Sequence, residues 1–314
     1  MLGRTANGVF WMFRYLERAE NIARLLDAGF RLALTRGPGE ASVEWKSVLT
    51  TIGQNNEYRA RHDDYQGQSV TNWILRDRDN PGSVLNMIEM ARSNARVVRT
   101  ALTREVWEAT NESWMVLREM LARPVRASTL GEVLAAVRRQ ATLVRGAMDG
   151  TMLRNEIFNF ARIGTFIERA DSTARIIDVK YYVLLPSVSL VGSSLDNAQW
   201  EMVLRSVSGE RAYRWLHSGA MDARGIASFL ILDERFPRSL ASCYNKVRSN
   251  MVGLAREYGH ESHAHELLRN TGTRLHSANI DDIIEQGLHQ FIGDFIAENR
   301  KVAAAIATDY RFTG

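Results

Sequence analysis

A chain of 314 residues, 45% of them hydrophobic, can bury a large core, and 40 Lys plus Arg against 36 Asp plus Glu leave a net charge of +4, too even a balance to call for nucleic acid as a partner. A single cysteine, Cys243, excludes an internal disulfide and a CxxC metal or redox motif and fits a reducing compartment. The opening MLGRTANGVFWMFRYLERAE breaks its apolar run at Arg14, Glu17 and Arg18, unlike a secretion signal, and no stretch reaches the ~20 apolar residues of a membrane span; a soluble cytoplasmic protein with no membrane partner is expected.

Along the chain, apolar residues recur at three- and four-residue spacing over 7–35, 83–102, 130–149, 155–185, 238–257 and 280–307, and alternating strand patterns are essentially absent. Shorter helices are expected over 42–53, 105–121, 197–207 and 210–217. Pro38, Pro81, Pro124, Pro186 and Pro237 all stand at junctions, as residues that clash inside a helix must. Asn80-Pro81 predicts an N-cap followed by proline at the first helical position, starting the helix that carries Met87, Ile88, Ala91 and Ala95. Arg59–Gln68 and Leu185–Asn197 are polar or Gly/Ser-rich enough to be loops. The fold class this implies is all-α, a helical bundle of antiparallel long helices forming a single domain over 1–314, made of two related halves (about 1–124 and 150–314).

The halves are suggested by an internal duplication. Glu17-Arg18-Ala19-Glu20-Asn21-Ile22-Ala23-Arg24-Leu25-Leu26-Asp27 returns as Glu168-Arg169-Ala170-Asp171-Ser172-Thr173-Ala174-Arg175-Ile176-Ile177-Asp178. At about 100° per residue, Glu17, Glu20, Arg24 and Asp27 share one arc beside an apolar face of Ala19, Ile22, Ala23 and Leu26. Two antiparallel helices bearing this stripe would gather Glu17, Glu20, Glu168 and Asp171 near a twofold axis. Three readings follow: ion pairs that fix register, with Arg24 and Arg175 at i+4 from Glu20 and Asp171; a polar ligand or partner site; or a metal site, for which neither stripe supplies a histidine.

Asp79-Asn80-Pro81 is followed by Arg92, Asn94, Arg96, Arg99, Glu105, Trp107, Glu108 and Asn111; Arg92, Arg96 and Arg99 lie on one helix side and either pair with the acidic stripes or hold a carboxylate or phosphate. Phe236-Pro237-Arg238-Ser239 opens a helix as a capping turn or an anion receptor. His260, His263 and His265 lack HExxH spacing in a polar, exposed-looking stretch. Nucleophile elbows, Walker loops and GxGxxG motifs are absent. Trp11, Phe13, Trp107, Trp114, Trp200 and Trp215 are expected to be core anchors.

The opening RTANGVFWMFRYLERAENIARLLD, DNPGS with ARSNARVVR and EVWEATN, FARIGTFIERADSTARIID, and RFPRS together resemble the bacterial alpha-E domain family over residues 4 to about 239. Phe158 departs from the Trp expected there. The resemblance implies an all-helical domain encoded beside or fused to a circularly permuted ATP-grasp ligase, often near a transglutaminase-like protein, in peptide or amide-bond metabolism. It marks Arg14, Glu17, Arg18, Glu20, Arg24, Asp79, Asn80, Arg92, Asn94, Arg96, Glu168, Arg169, Asp171, Arg175 and Arg238 as the charged signature. From this, Glu17, Glu20, Glu168 and Asp171 are the candidate catalytic residues, and Arg14, Arg24, Asp79, Asn80, Arg92, Asn94, Arg96, Arg175 and Arg238 the candidate substrate-binding ones. No cofactor or metal is expected in this chain; ATP and magnesium belong to the ligase partner, and a homo-oligomer is compatible with the sequence. The function implied is substrate handling for that ligase in a Glu/Arg cleft, the alternatives being an acid/base amide- or acyl-transfer enzyme and a helical scaffold without a ligand.

Overall fold

A computed structural model describes residues 3–34, 38–183, 194–217 and 221–312, with the side chains of 38–40, 179–183 and 194–198 outside the description. Within it the chain is a succession of α-helices: α1 (Gly3–Leu34), α2 (Pro38–Thr51), α3 (Asn55–Arg59), α4 (Gly67–Arg76), α5 (Val84–Val97), α6 (Arg104–Met120), α7 (Ala127–Thr151), α8 (Glu156–Val183), α9 (Ser194–Ser206), α10 (Glu210–Leu216), α11 (Ala223–Ile231), α12 (Leu240–Tyr258), α13 (His263–Ser277), α14 (Ile280–Gln286) and α15 (Leu288–Asp309). Among the described residues there is no strand, and no helix is long and apolar enough to cross a membrane.

Helices α1 and α8, which carry the two copies of the repeated block, lie against each other at the centre. Contacts between them advance together along both helices at a nearly constant separation: Phe10 meets Gly164 near one end, Glu17 meets Arg169 152 residues further along the chain, and beyond these Leu25 borders one cavity with Ile176. A constant difference requires the helices to run in the same direction, since antiparallel neighbours keep a constant sum. The expected antiparallel pairing of the stripes is therefore corrected to a parallel one in register. Gly164 makes the close approach possible, because a Cβ there would collide with the backbone carbonyl of Phe10.

The surrounding packing has the same plan on each side. Helices α5 and α7 pack on α1 and are bridged by α6; α12 and α15 pack on α8 and are bridged by α13. Helix α7, at the expected boundary, thus packs with the first group. The apolar positions named from periodicity, including Ala19, Ile22, Leu26, Met87, Ile88, Ala91 and Ala95, all enter one continuous core.

Several local expectations change. Ser83, not Asn80, caps α5, its Oγ accepting from the Asn86 amide, so Pro81 belongs to the preceding turn. Helix α4 begins at Gly67, inside the expected Arg59–Gln68 loop, burying Val70, Trp73 and Ile74. Of the expected Leu185–Asn197 loop, residues 185–193 lie outside the described residues and the remainder opens α9. Trp215 is 83% exposed rather than a core anchor, whereas Phe13 and Trp200 are buried.

Candidate functional site

Glu17 is buried on α1 and is grasped by three guanidiniums from three other helices or their approaches. Arg169 on α8 donates Nε to Oε1 (2.8 Å) and Nη2 to Oε2 (2.9 Å), a bidentate fork. Arg145 on α7 adds Nη1 to Oε2 at 3.2 Å, and Arg238, just ahead of the Ser239 cap of α12, adds Nη1 to Oε1 at 3.1 Å. Arg238 continues to Asn21 Oδ1 (2.7 Å) and Glu20 Oε1 (3.0 Å), while Arg24 reaches back one turn to Glu20 and across to Ser208. Burial alone pushes the Glu17 carboxyl upward in pKa, but Arg169, Arg238 and Arg145 outweigh it and hold it well below the usual carboxylate range. Burial also pulls the Arg238 guanidinium down to about 10, which leaves it charged at neutral pH.

Across the helix pair the pattern returns with one element missing. Arg18 forks onto Glu168, Nε to Oε1 at 2.6 Å and Nη2 to Oε2 at 2.8 Å, and Arg14 adds Nε to Oε2 at 2.9 Å. Each Glu-Arg dipeptide thus gives its arginine to the other's glutamate. Burial again raises the Glu168 carboxyl, and Arg18 and Arg14 more than offset it, so this group too stays ionised. Arg175 donates Nε to Asp171 Oδ2 at 2.6 Å, matching Arg24 on Glu20.

Beside Glu168, and not beside Glu17, a cavity of about 400 Å³ opens. Its walls come from α1 (Arg18, Asn21, Ile22, Leu25), α8 (Glu168, Asp171, Ser172, Arg175, Ile176), the end of α2 and following turn (Thr51–Gln54), Gly82 and Arg300. Asp171 and Arg300 also border a second hollow of about 250 Å³ lined by Phe10, Trp11 and Arg14. Asn21 is 95% buried, and its Nδ2 has no hydrogen-bond partner among the described residues. The cavity thus offers fixed positive and negative groups a few ångströms from aliphatic carbon, the make-up of a pocket for a small charged organic molecule.

The family model for Alpha-E, described as a predicted alpha-helical domain with a conserved ER motif, matches residues 1–310. The chain belongs to the Alpha-E family. The ER dipeptides of its repeated block are Glu17-Arg18 and Glu168-Arg169, the residues that exchange partners at the centre of the fold. Similar curated proteins are an uncharacterised protein of Mycobacterium bovis and one of Mycobacterium tuberculosis, each 23% identical over 315 residues covering 94% of this chain and 35% of theirs. The Alpha-E chain therefore spans about a third of the length of these relatives. No solved structure matches it.

The remaining expected residues of the Alpha-E chain separate into two groups. Glu17, Glu20, Arg24 and Arg238 meet on one side of the α1–α8 pair, Arg14 and Glu168 on the other, and Asp171 pairs with Arg175 beside the latter, so the four carboxylates do not converge on one site. Asn80 supports it from behind, donating to Gln54 and to the Trp73 carbonyl and accepting from the Gly82 amide, which shapes the cavity edge. Asp79 turns outward to Arg61. The arginine row does not face the acidic stripes as expected: Arg92 lies 4.0 Å over the Trp114 ring and donates to Asn111, and Arg99 stands over Trp107, on the α5–α6 side. Arg96 is exposed, and Asn94 serves through its backbone carbonyl, accepting from Val98. His265 is buried rather than solvated, sharing the capping box of α13 with Ser262 and meeting the Met251 carbonyl at 2.9 Å.

The sequence reading missed Arg145, Asn21, Gln54 and Arg300. One overlooked signal would have located the cavity: Ile74-Leu75 leads to Pro81-Gly82-Ser83, and Ile231-Leu232 leads to Pro237-Arg238-Ser239. Both serines cap the helix that follows, so Gly82 and Arg238 occupy matching places.

Proposed function

We propose that this chain is the substrate-holding part of an amide-ligation system in which an ATP-grasp ligase performs the ATP-dependent step, and that the cavity beside Glu168 holds an amino acid or the end of a short peptide. The observation that carries this reading is the cavity's lining of three guanidiniums, Arg18, Arg175 and Arg300, with two carboxylates, Glu168 and Asp171, and aliphatic Ile22, Leu25 and Ile176. A ligand carboxylate suits Arg300 and the free nitrogens of Arg175, and its positive group suits Asp171 and Glu168. The matched region is 35% of the mycobacterial relatives' length, which leaves room for a catalytic domain beside an Alpha-E region in one chain.

Acid/base catalysis by the paired glutamates has less support. A general acid or base works best with a pKa near the working pH, and Glu17 and Glu168 are locked as anions beneath several guanidiniums. Calorimetric titration with amino acids and dipeptides tests the proposal, together with ATP-dependent ligation by the partner ligase with and without this chain. Arg300→Met is expected to weaken carboxylate ligands about tenfold, the worth of one charge-assisted hydrogen bond. Absence of binding by every such ligand, together with ligation that proceeds equally well without the chain, refutes it.

A further inference from the structure

The two sides of the α1–α8 pair differ most in the place of Arg238. Arg238 on the Glu17 side touches Glu17, Glu20 and Asn21. The repeat matches these acceptors to Glu168, Asp171 and Ser172, and the two Pro-x-Ser turns match Arg238 to Gly82. All four counterparts, Glu168, Asp171, Ser172 and Gly82, line the cavity. The hydrogen bonds show the same omission atom by atom. Glu17 Oε1 accepts from both Arg169 and Arg238, whereas Glu168 Oε1 accepts from Arg18 alone among the described residues; each Oε2 has two donors. Glu168 Oε1, with one donor fewer than Glu17 Oε1, is by this correspondence the atom to which a guanidinium at the place of Gly82 would bind.

We infer that the cavity receives a guanidinium group from its ligand, so that free arginine or an arginine residue at the end of a peptide supplies the side chain that Gly82 lacks. This rests on the proposed function, of which it names the substrate class. The surrounding arginines do not oppose such a ligand: Arg238 itself sits among Arg24, Arg145 and Arg169, because the planar cation takes its hydrogen bonds in the plane of the acceptors. The ligand's guanidinium spans Glu168 Oε1, Asp171 and the Ser172 hydroxyl. Its carboxylate then faces Arg300.

Calorimetric titration of the intact chain with arginine, agmatine, citrulline, lysine, glutamate and alanine tests this. Arginine is expected to bind at least about tenfold more tightly than citrulline, its neutral isostere, with agmatine also preferred over citrulline, since hydrogen bonds to ions exceed those to neutral groups by that order. Gly82→Arg is expected to fill the cavity from within and abolish arginine binding while the protein melts no lower than the parent. A Cβ at Gly82 meets the Gln54 amide nitrogen, which must swing aside. If that variant does not fold, Asp171→Asn carries the test, with arginine affinity lowered about fivefold or more and citrulline affinity unchanged, for the same loss of an ionic acceptor. Citrulline or alanine binding as tightly as arginine overturns the guanidinium assignment and leaves an amino-acid site in place. Failure of all six compounds to bind overturns the guanidinium assignment, and joined to ligation that proceeds equally well without the chain it overturns the proposed function as well.

Discussion

Replacing Glu17 by Gln is expected to cost about 3–6 kcal/mol of stability, a figure built from the four hydrogen bonds its carboxylate accepts. Each oxygen has two donors: Oε1 has Arg169 Nε and Arg238 Nη1, and Oε2 has Arg169 Nη2 and Arg145 Nη1. Whichever way the amide turns, its NH2 group confronts two guanidinium donors, and two charge-assisted bonds worth about 1.5–3 kcal/mol each are lost. Removal of one partner from a buried ion cluster typically costs about 3–5 kcal/mol, so the two routes agree. Urea unfolding followed by tryptophan fluorescence measures the change as a lower midpoint at constant slope. A second variant, Arg224→Ala, supplies the contrast: its bidentate pair with Asp281 is exposed, and its loss is expected to leave the midpoint unmoved. A loss below about 1 kcal/mol for Glu17→Gln would refute the account, placing the central network in the class of solvated surface pairs.

Because the folded-state pKa values of Glu17 and Glu168 lie below their unfolded ones, their contribution is fully present above the unfolded value of 4.5 and is lost as pH falls toward the folded values; melting temperature is expected to be level, as far as these groups govern it, from neutral pH to about 5 and to drop below about 4.5, and a level profile down to pH 3 would contradict this. Gly164→Ala is expected to cost about 1–3 kcal/mol or more by driving α8 off the Phe10 carbonyl, measured in the same unfolding assay. The Cys243 thiol, buried and pushed up by that burial to about 12, is expected to react with a disulfide reagent at neutral pH only after denaturant is added. Arg92→Ala and Arg96→Met, which lie away from the cavity, are expected to leave ligand affinity unchanged in titration calorimetry; a loss would place the α5–α6 side in the binding path.

Helix existence was legible because three- and four-residue spacing reports a buried face, and α1, α5, α7, α8, α12 and α15 all have one. Helix α11 was not, since its nine residues, Ala223–Ile231, span too few turns for the apolar spacing to repeat. The i+4 pairs Glu20–Arg24 and Asp171–Arg175 were readable as local geometry. The exchange between Arg18 and Glu168 and between Arg169 and Glu17 was not, because a repeated stripe fixes which face is charged but leaves the direction of the facing helix free. Asn21 and Ser172 differ in the repeat without revealing why, although this pair borders the place where Arg238 on one side answers to the cavity on the other.

The parallel arrangement of α1 and α8 also sets an order of events during synthesis. Glu17 meets Arg169 across 152 residues and Arg238 across 221, so α1, made before α8 and α12, waits for both to gain these partners. Until then Glu17 and Glu20 have, among the described residues, Arg24 of α1 and Arg145 of α7 to neutralise them. Contacts this distant along the chain carry a loop-closure cost that must be met before they return any stabilisation, which slows the final collapse and keeps an apolar, charged groove open on the unfinished protein. The nascent first half is thus expected to be the stage most open to chaperone binding or to pairing with the wrong copy.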